Sequence, residues 1–323
     1  MSFAFQTRLP LSRHEVDRDH SRRTSPTLLA DLTSDPRTRV LPVWHGKALV
    51  DRSPNGVHLV LPSTDVLTPG SLFVYLGLSL AADAPEPAGT PIVTVSVTDA
   101  AAKAIEPDES RWEGLRELAT VASDRDSGIL TEATAILNWH ASHQNCPRCG
   151  AGTIVEDGGW TRRCPVDGSQ VFPRTDPAII VLVTDGDDRI LLGSNAMWEN
   201  NRYSLLAGFV EPGESLEAAV LREMHEESGL RVTDPVYLGS QPWPFPASIM
   251  CGFTARLAAG QDGRDMIPDG EEILDLRWFS RDELRASLDS IILPGRSSIA
   301  RAMVENWLGE QLDHDVQPEV ARR

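Results

Sequence analysis

The segment at residues 208–230 constrains the fold and chemistry of this chain more than any other stretch of its sequence. Pro212-Gly213 marks a turn, and Ser215 is a suitable N-cap for a helix that follows the turn. Gly229 supplies the left-handed residue at which such a helix ends. The segment therefore predicts a turn followed by one helix of about three to four turns.

The predicted helix becomes acidic along one face. Leu216, Ala219 and Val220 begin an apolar stripe, and glutamates continue the same side of the helix. Like charges three or four residues apart repel by a few tenths of a kcal/mol, roughly, for each pair. A hard divalent cation such as Mg²⁺ would neutralise them, because it binds carboxylate and phosphate oxygens. The pattern indicates either a metal site or a solvated acidic face, and the glutamates concerned are Glu223, Glu226 and Glu227.

The order of residues in this segment resembles the Nudix box. In that motif a glycine is followed by five residues, a glutamate, seven residues and then Arg-Glu-apolar-x-Glu-Glu-x-Gly-apolar, and Gly208, Glu214 and residues 222–230 fill these positions. The resemblance implies metal-dependent cleavage of a nucleoside diphosphate linked to another group. It also implies that the three helix glutamates are metal ligands, that Arg222 orients one of them and that Glu214 supports the loop.

Composition and charge restrict the function further. A chain of 323 residues with 41% hydrophobic and 24% charged residues has ordinary globular composition and room for two or three domains. Its formal net charge of −17 disfavours broad binding to nucleic acid, because the phosphate backbone would be repelled. A local site for one nucleotide end remains compatible with that charge.

Targeting signals are not evident in the sequence. Residues 1–8 end with the charged Arg8 and lack the apolar core of a signal peptide. The longest apolar run, at residues 178–183, is much shorter than a membrane span. We therefore expect a soluble, cytoplasmic protein without a membrane partner.

Three of the four cysteines are clustered. Cys146-Pro-Arg-Cys149 forms one tight turn, and Cys164-Pro-Val-Asp167 repeats its shape. Two such turns facing each other predict a structural zinc ribbon that binds one Zn²⁺ per chain. Asp167 stands where a fourth cysteine is expected, so the fourth ligand is Asp167, or His143 completes the set, or the segment binds no metal. We expect Cys251, in a predicted strand, to be buried.

The N-terminal part of the chain predicts a small mixed α/β domain. Short apolar runs at residues 40–44, 57–61, 71–76 and 91–97 are separated by turn signals and predict strands. Helical patterns follow at about residues 114–123 and 131–143. We expect the lone histidines His45, His58 and His140 to be surface or hydrogen-bonded core residues rather than ligands.

A proline-rich segment after the box, residues 240–248, carries a second signal. Three prolines at alternate positions predict an extended backbone, from which Trp243 and Phe245 project to a common side. Such an aromatic shelf suits stacking on a flat ring, with Gln241, Ser240 and Ser248 as hydrogen-bonding neighbours. The alternative is that the two rings pack a sheet edge or a dimer core.

The segment Gln241-Pro-Trp-Pro-Phe-Pro-Ala-Ser248, together with the preceding zinc ribbon, resembles the NADH pyrophosphatases of NudC type. This resemblance implies an α+β architecture: an α-β-α sandwich Nudix fold with a zinc ribbon and a smaller N-terminal α/β domain. It also implies cleavage of NAD(H) to NMN(H) and AMP, removal of NAD caps from RNA 5′ ends, catalytic Mg²⁺ or Mn²⁺, and a homodimer with composite active sites.

The same resemblance implies further site residues. Aligned on Trp278, Glu272 takes the place of one more metal-binding carboxylate. Phe209 would stack on the nicotinamide, with Tyr203 as a weaker aromatic candidate. Ala300, in a segment that matches the C-terminal substrate loop of the family, would contact the substrate.

We expect an N-terminal domain at residues 1–140, a zinc ribbon at 141–172, a Nudix hydrolase domain at 173–314 and a tail at 315–323. The expected function is NAD(H) diphosphatase activity. The alternatives are a broad dinucleotide pyrophosphatase that acts on ADP-ribose or diadenosine polyphosphates, and a zinc-ribbon binding module with an idle hydrolase domain. The sequence leaves open whether free NAD(H) or capped RNA is the main substrate.

Overall fold

The computed structural model describes residues 5–54, 56–67, 71–82, 84–199 and 201–312, so the predicted tail at 315–323 lies outside the described residues. The chain divides into two compact units. The N-terminal unit consists of Pro10–Thr175 and Trp243–Ala247. Among the described residues, the C-terminal unit consists of 5–9, 176–242 and 248–312. The finer boundaries predicted from the sequence stay predictions.

The main sheet of the N-terminal unit has the strand order β1-β5-β6-β2-β3-β4, with β7 paired to β3. β2 and β6 are parallel, with Val40 opposite Val93, and the other pairs are antiparallel. The apolar runs predicted as strands all contribute to this sheet. Its strands are β1 (Val16–Asp17), β2 (Arg39–Trp44), β3 (Lys47–Ser53), β4 (Gly56–Leu59), β5 (Phe73–Ser79), β6 (Pro91–Ser96) and β7 (Trp112–Gly114).

The helices of this unit are α1 (Leu28–Ser34), α2 (Asp99–Ile105), α3 (Leu115–Leu118) and α4 (Asp124–Ser142). α4 begins earlier than predicted, because Ser123 caps it by accepting a hydrogen bond from the backbone N–H of Asp126 at 3.1 Å. The cap requires an extended backbone at Ser123, so the predicted helix at residues 114–123 shrinks to α3. α4 packs Ile129 and Ala133 into the main core of the unit.

A small antiparallel sheet contains β8 (Ile154–Glu156), β9 (Thr161–Arg163) and β10 (Gln170–Val171). His140 of α4 connects to this segment, since its Nε2 lies 2.8 Å from the carbonyl oxygen of Gly159 and its Nδ1 lies 2.9 Å from the guanidinium of Arg162. Nε2 therefore donates and Nδ1 accepts. Burial lowers the pKa of His140 to about 4, so the ring is a neutral structural residue, as expected.

The sheet of the C-terminal unit has the order β14-β15-β11-β12-β16, with β13 paired to β11. β11 and β15 are parallel, with Ile180 opposite Gly252, whereas β11 is antiparallel to β12 and β13. Its strands are β11 (Asp176–Thr184), β12 (Ile190–Asn195), β13 (Leu206–Phe209), β14 (Val232–Trp243), β15 (Ser248–Leu257) and β16 (Ile273–Phe279).

Helices α5 (Leu216–Ser228), α6 (Arg281–Ser287) and α7 (Ile299–Leu308) complete the unit. Successive residues of β11 point to opposite faces of the sheet. Ile180 enters a core that contains Met303 of α7, whereas Ile179 enters a separate core that contains Val220 of α5. Helices therefore cover both faces of the sheet, which confirms the predicted α-β-α sandwich.

Cys251, on β15, is buried as expected. Among the described residues, no helix is both long enough and apolar enough to cross a membrane.

Candidate active site

α5 forms as its sequence predicts. Ser215 Oγ accepts a hydrogen bond from the backbone N–H of Ala218 at 3.1 Å, and Gly229 ends the helix with φ of +69°. Ala219 and Val220 are fully buried against the sheet. Burial of this stripe orients the helix, so that the carboxylate of Glu223 lies against Gly208 of β13 and Glu227 lies within range of the charge of Glu272.

The glutamates of α5 differ in environment. Glu227 is only 4% exposed, and its Oε2 is buried with no hydrogen-bond partner among the described residues. Burial, followed by the nearby charges of Glu223 and Glu272, raises the pKa of Glu227 to about 8. Burial also raises the pKa of Glu223, to which the charges of Glu226 and Glu272 contribute. Glu226 is exposed.

These observations test whether a divalent cation fits the site. A buried carboxylate oxygen without a partner is costly, and neighbouring carboxylates that raise each other's pKa repel one another. Glu272, in the turn before β16, is exposed, and its charge is near enough to contribute to the raised pKa of both Glu223 and Glu227. A hard cation would bind the free oxygen of Glu227 and remove the repulsion, so the donor set fits Mg²⁺ or Mn²⁺.

Arg222 organises the segment around these carboxylates. Its guanidinium donates two hydrogen bonds to Glu214, both at 2.9 Å, and one each to Glu223 at 2.9 Å and Glu226 at 2.8 Å. It also donates to the carbonyl oxygen of Phe209 at 2.9 Å. Hydrogen bonds from Arg222 lower the pKa of Glu214, whose Oε2 accepts from the backbone N–H of Glu211 at 3.1 Å. Arg222 thus joins Glu214 of the loop to two glutamates of α5, and the roles predicted for Arg222 and Glu214 stay predictions.

Gly208 is required by the position of Glu223. A Cβ atom at Gly208 would lie 2.0 Å from the carboxyl carbon of Glu223. Real Cβ contacts are never this short, so any other residue at position 208 would displace the carboxylate. The glycine of the motif thus makes room for a candidate metal ligand.

The two aromatic candidates of the C-terminal unit, Phe209 and Tyr203, differ in exposure. The ring of Phe209 is 60% exposed and is free to stack on a ligand. Tyr203 is 2% exposed, packs edge-on against Phe279 and donates its hydroxyl hydrogen bond to Asp275. It is therefore a core residue and does not offer a stacking surface. Ala300 is also buried, in the first turn of α7, so its predicted contact with substrate stays a prediction.

The proline-rich segment contributes to both units. Trp243 and Phe245 lie in the N-terminal unit with their ring centroids 5.0 Å apart, in an edge-to-face arrangement. The guanidinium carbon of Arg116 lies 4.3 Å from the centroid of Phe245 and 5.2 Å from that of Trp243. Asn138 donates hydrogen bonds to the carbonyl oxygens of Pro244 at 3.0 Å and Pro246 at 3.1 Å.

Both rings are half-buried against the N-terminal core. They therefore pack within the protein, which was the alternative to stacking on a ligand. Arg116 and Asn138 could not be identified from the sequence, because neither belongs to a motif and both are distant from residue 243.

The polar neighbours of these rings belong to the C-terminal unit. Gln241 is fully buried, and its Nε2 donates to the carbonyl oxygen of Ser297 at 3.0 Å. The carbonyl oxygen of Ser240 accepts a hydrogen bond from Gln6 Nε2 at 3.1 Å. Ser248 is half-buried at the start of β15. The predicted contacts of Gln241 and Ser248 with substrate stay predictions.

The cysteine cluster has the geometry of a closed four-ligand site. The ligand atoms of Cys146, Cys149, Cys164 and Asp167 all lie within 4.8 Å of one another. Cys149 Sγ is 3.5 Å from Cys164 Sγ, and Cys146 Sγ is 3.6 Å from Asp167 Oδ2. A tetrahedral zinc with Zn–S bonds of about 2.3 Å needs sulfur atoms about 3.8 Å apart. The donor set therefore fits Zn²⁺.

Asp167 uses its two oxygens differently. Oδ1 accepts hydrogen bonds from the backbone N–H of Ser169 at 2.9 Å and from its hydroxyl at 2.6 Å, whereas Oδ2 faces Cys146 Sγ. These hydrogen bonds hold the pKa of Asp167 well below its usual range. Hydrogen bonds from Ser169 and backbone N–H groups also lower the pKa of Cys146 to about 7. His143 lies outside the four-residue cluster, with its Nδ1 2.9 Å from Ser142 Oγ.

Family models match three successive parts of the chain. Residues 37–139 match the NADH pyrophosphatase-like rudimentary NUDIX domain. Residues 141–172 match the NADH pyrophosphatase zinc ribbon domain. Residues 174–300 match the NUDIX domain. The order of the three matches agrees with the architecture predicted from the sequence.

Known proteins are similar to parts of this chain. A protein of Mycobacterium bovis described as NAD-capped RNA hydrolase NudC is 46% identical over 203 residues, which cover 60% of this chain and 64% of that protein. A protein of Stutzerimonas stutzeri with the same description is 42% identical over 203 residues, covering 63% and 70%. The alignment thus spans less than two thirds of the mycobacterial relative. A crystal structure of a NUDIX hydrolase from Nitrosomonas europaea is 23% identical with a TM-score of 0.41, covering 53% of this chain and 96% of that one.

Proposed function

This chain belongs to the NudC-type Nudix hydrolases, and on that premise we propose that it hydrolyses the pyrophosphate of NAD(H) to NMN(H) and AMP. The single observation that carries the proposal is the buried, unpartnered oxygen of Glu227 beside Glu223 and Glu272, within a motif whose residues are all present. A carboxylate cluster of this kind is costly to fold unless a cation occupies it.

In the proposed reaction, Glu223, Glu226, Glu227 and Glu272 would hold Mg²⁺ or Mn²⁺. The cation would supply positive charge that neutralises the pyrophosphate and would make water a better nucleophile. Arg222 fixes Glu223 and Glu226 through its hydrogen bonds. Phe209 offers an exposed ring on which the nicotinamide stacks. We assign substrate contacts to Gln241, Trp243, Phe245, Ser248 and Ala300 on the family resemblance.

We propose that Zn²⁺ has a structural role in the ribbon. Cys146, Cys149, Cys164 and Asp167 would fill all four positions of a tetrahedral ion, which leaves no open position for chemistry. The hydrogen bonds from Ser169 to the outer oxygen of Asp167 support binding through Oδ2 alone.

Removal of NAD caps from RNA is part of the proposal, because both relatives are described as NAD-capped RNA hydrolases. The NAD end is the part of such a substrate that the pyrophosphate site would recognise. A homodimer with composite active sites, which the family resemblance implies, is also proposed. Sedimentation of the purified chain tests the dimer: a monomer at micromolar concentration contradicts it.

The decisive experiment incubates the protein with NADH and Mg²⁺ or Mn²⁺ and separates the products by chromatography. NMNH and AMP from the wild type, and not from Glu227→Gln, support the proposed bond cleavage and metal site together. The kcat/KM values for NADH, ADP-ribose and a diadenosine polyphosphate should rank NADH first. Equal values would favour a broad dinucleotide pyrophosphatase, and a folded protein with no products under any condition would favour a binding module.

A further inference from the structure

The turn that carries Glu272 is held by the side chain of Asp269. A single carboxylate oxygen, Oδ1, accepts hydrogen bonds from the consecutive backbone N–H groups of Glu271, Glu272 and Ile273 at 2.8, 2.9 and 2.9 Å. Three N–H groups that converge on one oxygen fix the direction of the backbone where the Glu272 side chain begins. Gly270 supports the turn, since its N–H donates to the carbonyl oxygen of Ile273 at 3.1 Å.

The opposite side of the same turn is fixed by the end of β12. The backbone N–H of Ala196 donates to the carbonyl oxygen of Glu272 at 2.8 Å. Asn195 Nδ2 lies 3.4 Å from Glu272 Oε1. Ile273 is buried in the core that α5 covers, so the residue after Glu272 is anchored as well. Asp269 therefore completes a frame that fixes the backbone of Glu272, whose side chain is exposed.

We propose that Asp269 is a positioning residue that sets the place of the Glu272 carboxylate in the metal site through the backbone of the turn. This inference rests on the proposed function, because it takes Glu272 as a metal ligand. It adds a residue outside the motif, whose effect on metal binding depends on its role as a hydrogen-bond acceptor and not on its charge.

A competing role for Asp269 is direct ligation. Its charge contributes to the raised pKa of Glu227, so it lies near the cluster. The two roles make opposite demands on the side chain. Asparagine keeps a carbonyl oxygen at the same distance from the backbone as an acceptor for these N–H groups, but it has two lone pairs and no charge. Glutamate keeps the charge but moves its oxygens outward by one methylene group.

The test measures Mn²⁺ binding by titration calorimetry without substrate, for the wild type, Asp269→Asn, Asp269→Glu and Glu272→Gln. If Asp269 positions Glu272, then Asp269→Asn should change the Kd for Mn²⁺ by less than about 3-fold, and Asp269→Glu should raise that Kd by about 10-fold or more. Losses of this size are typical when a residue that orients a metal ligand is replaced. The reverse order, or an unchanged Kd in both variants, overturns the proposal.

A double variant identifies the route of the effect. If Asp269 acts through Glu272, then Asp269→Glu combined with Glu272→Gln binds Mn²⁺ no more weakly than Glu272→Gln alone. Multiplying losses in the double variant would show that Asp269 acts independently, which contradicts the proposal. Thermal denaturation of each metal-free variant establishes whether it folds. If Asp269→Glu fails to fold, Asp269→Asn still tests the proposal, because a large loss of Mn²⁺ affinity in Asp269→Asn is sufficient to reject the positioning role.

Asp262→Ala is the matched control. Asp262 Oδ1 also accepts a backbone hydrogen bond, from Arg264 at 2.9 Å, but its carboxylate caps the turn at residues 263–265 and pairs with Arg264 instead of holding the turn that carries Glu272. Its variant should bind Mn²⁺ with the wild-type Kd. The isotherms remain interpretable if NADH proves not to be a substrate, so failure of the positioning role and failure of the proposed reaction are distinguished. In an active enzyme, Asp269→Glu should raise the Mn²⁺ concentration for half-maximal rate more than it lowers kcat at saturating metal.

Discussion

At the scale of single residues, the site depends on the close approach of Gly208 to the carboxylate of Glu223. The Cα of Gly208 lies so close to Glu223 that a Cβ atom would overlap the carboxylate. The φ angle of Gly208 is not among the positive values, so its requirement for glycine is steric rather than conformational. A methyl group at this position therefore affects the site before it affects the fold.

Gly208→Ala should lower kcat/KM for NADH by about 100-fold, because displacement of a group that holds a catalytic metal removes several kcal/mol of transition-state stabilisation. The fold should survive, so the melting temperature of the metal-free variant should stay near that of the wild type. Gly186→Ala is the control, since a Cβ atom at Gly186 meets nothing within 4 Å. Near-normal activity in Gly208→Ala would refute the steric account.

Glu227→Gln should remove most turnover and stabilise the metal-free protein. The pKa of Glu227 is raised to about 8, above its usual value of 4.5. Such a group contributes stability that is fully present below pH 4.5 and is lost as the pH rises through 8. Metal-free wild type should therefore lose stability between about pH 5 and pH 8, whereas Glu227→Gln should lose at least about 1 kcal/mol less over that range. Denaturation in urea at several pH values, with a chelator present, measures the difference.

At the scale of elements, the ribbon and α5 show two ways of placing charged ligands. α5 uses helical spacing, which brings side chains three and four residues apart to one face. The ribbon uses two turns that are distant in sequence, and Asp167 takes the position of a cysteine within the second turn. Ser169, two residues later, binds the outer oxygen of that carboxylate.

Asp167→Ala should weaken zinc binding by about 10-fold or more, because it removes one of four ligands, whereas Asp167→Cys should retain the metal. Competition with a coloured zinc chelator at pH 7 measures the affinities. His143→Ala is the control and should release no zinc, since His143 lies outside the cluster. Release of zinc by His143→Ala and not by Asp167→Ala would transfer the fourth position to the histidine.

At the scale of the whole molecule, the formal net charge of −17 limits the affinity for the RNA chain of a capped substrate. A protein that recognises RNA along its backbone gains affinity from each neutralised phosphate and loses it steeply with salt. An acidic surface gives little of this gain, so recognition should concentrate on the NAD end.

NAD-capped RNAs of increasing length should therefore have similar KM values at physiological salt. The slope of log KM against log salt concentration should correspond to about one or two phosphate contacts, rather than the six to ten of a backbone-binding protein. Uncapped RNA of equal length, used as competitor, should inhibit weakly. A steep slope, or a KM that falls steadily with RNA length, would indicate that a local basic surface binds the RNA backbone despite the acidic net charge.

Features set by local order could be predicted from the sequence. Residue spacing determined that Glu223, Glu226 and Glu227 share a helix face, and capping residues determined where α5 begins and ends. Predictions of boundaries failed where a cap of the next helix intervened. The helix expected at residues 114–123 is shortened to α3, because Ser123 has an extended backbone and caps α4.

The tertiary structure alone decided which of these groups are buried and which groups from distant segments meet them. Packing of α5 made Glu227 a buried carboxylate with a raised pKa and left Glu226 exposed, although both belong to one motif. Likewise, the fold placed Arg116 against Phe245, and it brought Glu272 close enough to Glu227 for its charge to raise the pKa of that carboxyl. Spacing fixes which face of an element a residue occupies, but burial and pKa depend on the elements that pack against that face, and those contacts join residues far apart in the chain.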